Sequence, residues 1–410
     1  MKKVFLSFAV LLMGCALFTA CGDDDDDNDK RPANPQDSQV TPAPKDSTNN
    51  VTPAPKDSTN NVTPDQAVAG NGVFVVGAGN SMSNIVGALT YFDVATGKTT
   101  ANIFKQVNGR ELGVTANDGM IYGSKLYVVV DGENTIEVMD ARTLKSVKQI
   151  STTTLLGEQE GKSPRRIVAK DGHIFVSTFG GYVAVIDTVN YALTTKLQAG
   201  SYPEGMAFSG KMLFVANSDY GKGTNPSISI FSTDLQNKAF RKIIDLKDSL
   251  INNPTILVAN GYDLYILCGD TYDPVNYSVK QKGGLRKYAS GNQSPGSIAN
   301  IAENVSMMAA NGTNLYLILD AYVQPQYKVL DMSSDQLSSL DINNGVDVPN
   351  AIGVDPVTGD FVVAGYRKNP ETGYGDYSAA GKAIRYSSTG SKTAEFETAV
   401  GPSAVFFSNK

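Results

Sequence analysis

The chain has 410 residues, a formal net charge of −6 and an isoelectric point near 5.0. Its 35 Lys and Arg against 41 Asp and Glu, with no basic cluster, exclude a nucleic-acid binder, because phosphate recognition needs grouped cations. One histidine and three cysteines exclude most zinc sites, and any Ser-His-Asp or Cys-His mechanism that does not run through His173. There is no Trp, whereas 39 Gly and 19 Tyr accompany few long helical patterns, which points to β structure.

The first element is an address. Lys2 and Lys3 precede an uncharged apolar run, Val4 to Ala20, too short and wrongly flanked for a spanning helix. Phe18-Thr19-Ala20-Cys21 then resembles the bacterial lipoprotein box, with Phe18 in place of the usual Leu. Cys15 after Gly14 is a rival cleavage point that would leave a shorter apolar core, and an ordinary secreted protein is the plainer alternative. Residues 1–20 are therefore expected to be a signal peptide and Cys21 the lipidated residue, holding the mature chain to the membrane through its acyl chains alone. Asp23 to Asp27 read either as a solvated tether or as resembling the acidic surface-export signal of Bacteroidota lipoproteins. The second reading implies an outer-membrane protein facing the cell exterior. Lipidation at Cys21 would leave only Cys268, so no intrachain disulfide is expected.

A tether follows. Val40 to Asn50 reads VTPAPKDSTNN, Val51 to Asn61 repeats it, and Val62-Thr63-Pro64 begins a third copy. Such a Pro/Thr/Asn-rich segment buries too little apolar surface to offset its ordering entropy, so residues 21–66 are expected to be disordered. As a coil, residues 22–70 reach on the order of 40 Å. Asp46-Ser47-Thr48 and Asp57-Ser58-Thr59 resemble the Bacteroidota O-glycosylation motif.

Residues 67–410 repeat one unit. A glycine or polar turn is followed by a short apolar strand with an aromatic at Phe74, Tyr127, Phe175, Phe214, Tyr265, Tyr316 and Phe361, spaced 39 to 53 residues apart. Self-similarity at this period means a propeller or a solenoid. A second element ends in an Asp or polar turn, as at Tyr91-Phe92-Asp93, Val138-Met139-Asp140, Val185-Ile186-Asp187, Val329-Leu330-Asp331 and Arg385-Tyr386-Ser387. An apolar stretch opened by Pro164, Pro203, Pro254 or Pro349 precedes several aromatic strands. Four strands per unit describe an all-β, seven-bladed β-propeller, with six or eight blades as the alternatives. Gly401-Pro402-Ser403-Ala404-Val405-Phe406-Phe407 matches the Pro-opened strand but precedes no aromatic strand, and Phe74 has no such strand before it. The carboxy-terminal strand is therefore expected to complete the first blade and close the ring. An open solenoid would need caps that the sequence lacks.

Loop lengths are unequal. Turns before the aromatic strand, such as Asp171-Gly172, are short, whereas the loops after it, Gly77 to Gly87, Asn217 to Pro226, Gly269 to Gly284, Ala321 to Lys328 and Tyr366 to Lys382, are long. In a meander these loops share one face, where binding usually sits. They carry Asn217, Tyr220, Tyr272, Tyr277, Tyr322, Tyr327, Tyr366, Arg367, Tyr374 and Tyr377, with Tyr202 in a blade-to-blade loop. Tyrosine joins a flat apolar ring to a polar tip, which suits an amphipathic small-molecule ligand, although individual rings could equally pack between loops. No acid–base pair stands out, so no enzyme and no bound cofactor or metal is expected. Gly77-Ala78-Gly79-Asn80 precedes no helix pattern, against a nucleotide loop. His173 is expected on the opposite surface and Cys268 to be buried and inert.

Gly72-Val73-Phe74-Val75-Val76, Leu89-Thr90-Tyr91-Phe92-Asp93, Ile121 to Tyr127, Ile136 to Thr143, Leu213 to Ser218 and Ala351 to Pro356 resemble the surface-lipoprotein propellers of gut Bacteroidota, a branch of the YncE-like family that includes the BtuG cobalamin-capturing lipoproteins. The resemblance covers most of 70–410. It implies cobalamin as ligand on the long-loop face and a TonB-dependent outer-membrane transporter as partner. Val76-Gly77-Ala78-Gly79-Asn80 departs from it, since a glutamate is expected before the Gly-Asn. The resemblance transfers no individual ligand contact. A non-catalytic glycan- or protein-binding adhesion module is the competing class.

Overall fold

The computed structural model describes residues 71–408, except 235–240, 248, 274, 290–295 and 343. The expected signal peptide, the expected lipidation site Cys21 and the expected tether lie outside these residues. Seven four-stranded antiparallel sheets form the blades of a β-propeller, as the repeat predicts. The inner strands are Pro402–Ser408, Ala116–Tyr122, Pro164–Lys170, Pro203–Ser209, Pro254–Asn260, Val305–Asn311 and Val348–Val354 for blades 1 to 7. Blade 1 takes its inner strand from the end of the chain. Gly72 pairs with Ser408 and Val76 with Ala404, so Pro402–Ser408 closes the ring beside Gly72–Gly77.

Each aromatic strand lies second from the centre and is largely apolar because both of its faces are covered. In blade 1, Phe74 and Val76 pack towards blade 2, whereas Val73 and Val75 pack towards blade 7. The core is accordingly divided into seven clusters, one at each blade-to-blade interface. All seven repeat aromatics are buried. Tyr265 also donates from its hydroxyl to the Met332 carbonyl of blade 6 at 3.0 Å. A buried Phe or Tyr removes more apolar surface from water than an aliphatic residue, and this explains its recurrence at one register.

The sequence pattern missed some elements. The inner strands of blades 2 and 6 open on Ala116 and Val305 rather than Pro, and the third strands of blades 4 and 5, Ser227–Ser232 and Gly284–Ala289, lack the terminal Asp. Two short helices, Ile103–Asn108 and Thr152–Leu156, occupy blade-to-blade connections and were not anticipated.

The Asp-terminated third strands end in side-chain-capped turns. Asp140 Oδ1 accepts the N–H groups of Arg142 and Thr143 at 3.0 and 2.9 Å, and Asp93, Asp187 and Asp331 cap their turns alike. The Thr143 N–H holds the Asp140 carboxyl below its ordinary 3.8, assisted by Arg142 and opposed by burial. A depressed carboxyl stabilises the fold above its unfolded value and loses that contribution as pH falls through the folded one. Asp140→Asn should therefore flatten the loss of thermal midpoint below about pH 4, measured by circular dichroism across an acid series. An unchanged slope would mean that this turn carries no linked proton.

Every inner strand begins with a β-bulge against its neighbour. Asn117, Thr255, Ser306, Asn350 and Ser403 are skipped in the ladder, as are the pairs Arg165/Arg166 and Glu204/Gly205. Several of these side chains tie blade to blade. Asn350 donates to the Pro402 carbonyl, Ser403 to Ala116 at 2.9 Å, and Asn117 to Pro164 at 3.3 Å. The bulges thus form a polar girdle around the axis of the ring, at the rim where the inner strands start.

Candidate functional site

Inner strands start, and second strands end, at the same rim. Loops between second and third strands therefore emerge there, beside the blade-to-blade connections, whereas the short turns lie at the other rim. Gly72, Ser408 and His173 belong to the short-turn rim, and the His173 Nδ1 lies 2.9 Å from the Asp171 carbonyl oxygen. Cys268 is buried, which pushes its thiol up to about 12, consistent with an inert core residue.

Four expected ligand residues converge from three blades. Tyr272 comes from the short ribbon Thr271–Tyr272/Val279–Gln281 of blade 5, Tyr322 from the blade 6 loop, and Tyr366 and Tyr377 from blade 7. The rings of Tyr366 and Tyr377 meet edge to face, with centroids 4.7 Å apart. Tyr322 is half exposed, yet its hydroxyl turns inward to Asn350 Oδ1 of the girdle at 3.2 Å. Burial raises the phenols of all four. Tyr272 reaches about 12, with Asp270 and Tyr322 adding to the shift, and Tyr366 is raised further, with Tyr322 and Tyr377 adding. They are neutral hydrogen-bond donors at pH 7. The Tyr272 hydroxyl is buried without a hydrogen-bond partner among the described residues, a costly arrangement that a bound ligand or water would relieve.

Tyr202 and Tyr220 form a second group, with ring centroids 5.0 Å apart and both edge-on to Phe179. Both have positive φ, 52° and 54°, a strained conformation for a bulky residue. Phe179 rests on the Arg165 guanidinium, 4.3 Å from its ring centre. Arg165 in turn bridges Asp131 at 2.8 Å and Glu204 at 3.2 Å across three blades. Phe179, Arg165, Asp131 and Glu204 join the site without having been expected from the sequence. The signal for Arg165 and Glu204 was the recurrent polar residue directly after the proline that opens an inner strand.

Other expected residues lie elsewhere. Asn217 is fully buried at the end of Met212–Asn217, donating to Ser227 and Ser229 and accepting the Gly200 N–H, so it fastens the scaffold. Tyr327 lies within the strand Gln326–Asp331 rather than in a loop, and is buried. Arg367 reaches outward to Glu397 on the outer strand of blade 7, 3.4 Å away. Tyr277 and Tyr374 stand exposed in loops of the long-loop rim, as do Met82, Val275 and Val323.

The fold is a seven-bladed β-propeller, and its long-loop rim carries the polar girdle together with a candidate binding bowl formed by Tyr272, Tyr322, Tyr366 and Tyr377. The chain belongs to the DUF5074 family, a domain of unknown function, which it matches over residues 71–408. No curated protein matches it. Among solved structures, it is similar to a hypothetical selenium-binding protein from Sulfolobus tokodaii, with 10% identity, a TM-score of 0.60, and 83% of this chain and 94% of the other covered. A candidate 6-phosphogluconolactonase from Bacteroides uniformis has 12% identity and a TM-score of 0.56, with 83% of this chain and all of that one covered. Another from Bacteroides fragilis has 13% identity and a TM-score of 0.53, covering 86% and 100%. At these identities the likeness concerns the fold.

Proposed function

We propose that this protein is a surface lipoprotein that captures an amphipathic small molecule in the bowl, with cobalamin as the ligand and a TonB-dependent outer-membrane transporter as the recipient. The convergence of Tyr272, Tyr322, Tyr366 and Tyr377 carries the ligand-binding reading. Neutral phenols donate hydrogen bonds while their rings offer apolar faces, which suits a bulky ligand fringed with amide oxygens. Cobalamin and the transporter rest on the YncE-like resemblance, and the anchor and outer-membrane location rest on the Cys21 box and Asp23 to Asp27.

Binding rather than turnover fits the bowl. The phosphate-bearing lactone in the name of the Bacteroides neighbours is an anion, whereas Arg165 in the girdle is already held by two carboxylates and the phenols are uncharged. Calorimetry of the compact unit Ala67–Lys410 with cyanocobalamin tests the reading. Heat of binding at one site and a change in the vitamin's visible spectrum are expected. Neither signal at micromolar protein would remove the vitamin. A protein-adhesion role is the second reading, favoured by the exposed apolar tips Met82, Val275 and Val323 on the same rim.

A further inference from the structure

The glycine-rich stretch Gly77-Ala78-Gly79-Asn80 lies outside the aromatic walls, yet its loop touches three neighbouring segments. Ala78 and Gly79 donate from their N–H groups to the carbonyls of Gly401 and Val400 at 2.7 and 3.0 Å, gripping the connection that delivers the closing strand. Thr115 donates to the Ala78 carbonyl at 3.1 Å, and Gly87 to Gly113 at 2.7 Å, which binds the loop to the entry of blade 2. Towards blade 7, Asn80 Nδ2 donates to the Tyr377 carbonyl at 2.9 Å, and the Ser83 and Ser378 hydroxyls lie 3.4 Å apart.

Asn80 itself is held firmly. Its N–H donates to the Ile85 carbonyl at 2.8 Å, its carbonyl accepts the Ile85 N–H at 2.9 Å, and its Oδ1 accepts the Ser83 N–H at 3.2 Å. Gly79 makes the turn possible. Its φ is 74°, and a Cβ there would lie 2.2 Å from the Ile85 carbonyl oxygen. A rigid run of hydrogen bonds therefore leads from the closing strand, through Asn80, to the peptide of Tyr377, whose ring meets Tyr366 edge to face.

We infer that Asn80 is a positioning residue for the ligand. Its carboxamide fixes the Tyr377 peptide, and through it the Tyr366–Tyr377 ring pair, without contacting the ligand. This rests on the tyrosine bowl being the binding surface. The contact spans 297 residues of sequence, so no local pattern announces it.

Asn80→Asp separates the two jobs of the side chain. A carboxylate still accepts the Ser83 N–H, but it opposes the Tyr377 carbonyl instead of donating to it. The full chain is labelled with 3-fluorotyrosine, and the fluorine resonances of Tyr366 and Tyr377 are assigned with Tyr366→Phe and Tyr377→Phe. In Asn80→Asp both resonances should move or broaden while those of Tyr202 and Tyr220 stay in place. Affinity for cyanocobalamin should fall about tenfold, with the wild-type fold retained by circular dichroism. Ser83→Ala, which leaves the Asn80 carboxamide intact, should bind like the wild type. Unmoved Tyr366 and Tyr377 resonances in Asn80→Asp would overturn the inference whether or not the vitamin binds. Moved resonances with unchanged affinity, in a wild type that does bind, would overturn its ligand-positioning part. A wild type that ignores the vitamin defeats the ligand reading alone, and the fluorine spectra still decide whether Asn80 sets the ring pair. If Asn80→Asp fails to fold, Asn80→Ala, which removes the donor without adding a charge, is judged by the same two resonances: both should move, and unmoved resonances would overturn the inference.

Discussion

Deleting Pro402–Ser408 should abolish the cooperative unfolding transition, leaving a protein with β-rich far-ultraviolet dichroism but no fixed tyrosine signal in the near ultraviolet. The deleted strand serves two interfaces. Phe406 stacks on Phe74 at 5.3 Å in the cluster shared by blades 1 and 2, while Val405 and Phe407 pack in the cluster shared with blade 7. Its loss also bares the long edge of Gly72–Gly77. Burial of each large apolar side chain is worth about 1.5–3 kcal/mol, against a typical net stability of about 5–15 kcal/mol for a whole domain. Phe406→Ala, which spares the ladder, should cost about 2 kcal/mol and keep a single transition. A truncated chain that melted sharply near the wild-type temperature would show that blade 1 closes without its fourth strand.

Arg165→Ala should destabilise the propeller by about 3–5 kcal/mol, the range for removing one partner of a largely buried ion pair. The guanidinium, with 12% of its side chain exposed, separates Asp131 from Glu204, which are 18% and 11% exposed. Its removal leaves two like charges in the girdle and takes away the support beneath Phe179. Adding Asp131→Asn and Glu204→Gln should recover much of the loss, and chemical denaturation of the single and triple variants measures both effects. A single variant within about 1 kcal/mol of wild type would mean that water reaches the girdle freely enough to screen the carboxylates.

The fold was legible because its rules are periodic. Each second strand lies between two blades, so its apolar run is nearly continuous, and the aromatic returns at one register, from Phe74 to Phe361. Closure was legible because a Pro-opened strand was left over at one end and wanted at the other. Ala116 and Val305 escaped notice because proline is only one way to begin a bulged strand. The third strand of blade 5 ends on Ala289, which cannot cap a turn as Asp140 does.

The site was only half legible. Loop length announced the rim and tyrosine content announced the walls. Whether a side chain faces the bowl depends on partners distant in sequence. Asn217 is drawn into the sheet by Ser227 and Ser229, and Arg367 is drawn outward by Glu397. Phe179 sits in the three-residue turn 179–181, where loop length gives no warning.

The pairing of Gly72 with Ser408 has a practical consequence. Because the two ends of the sheet meet, a short linker could join them and new termini could be cut at Asp171-Gly172, yielding a circular permutant with an unbroken first blade. A fluorescent domain fused beyond Ser408 would project from the short-turn rim and leave the bowl open to whatever it receives.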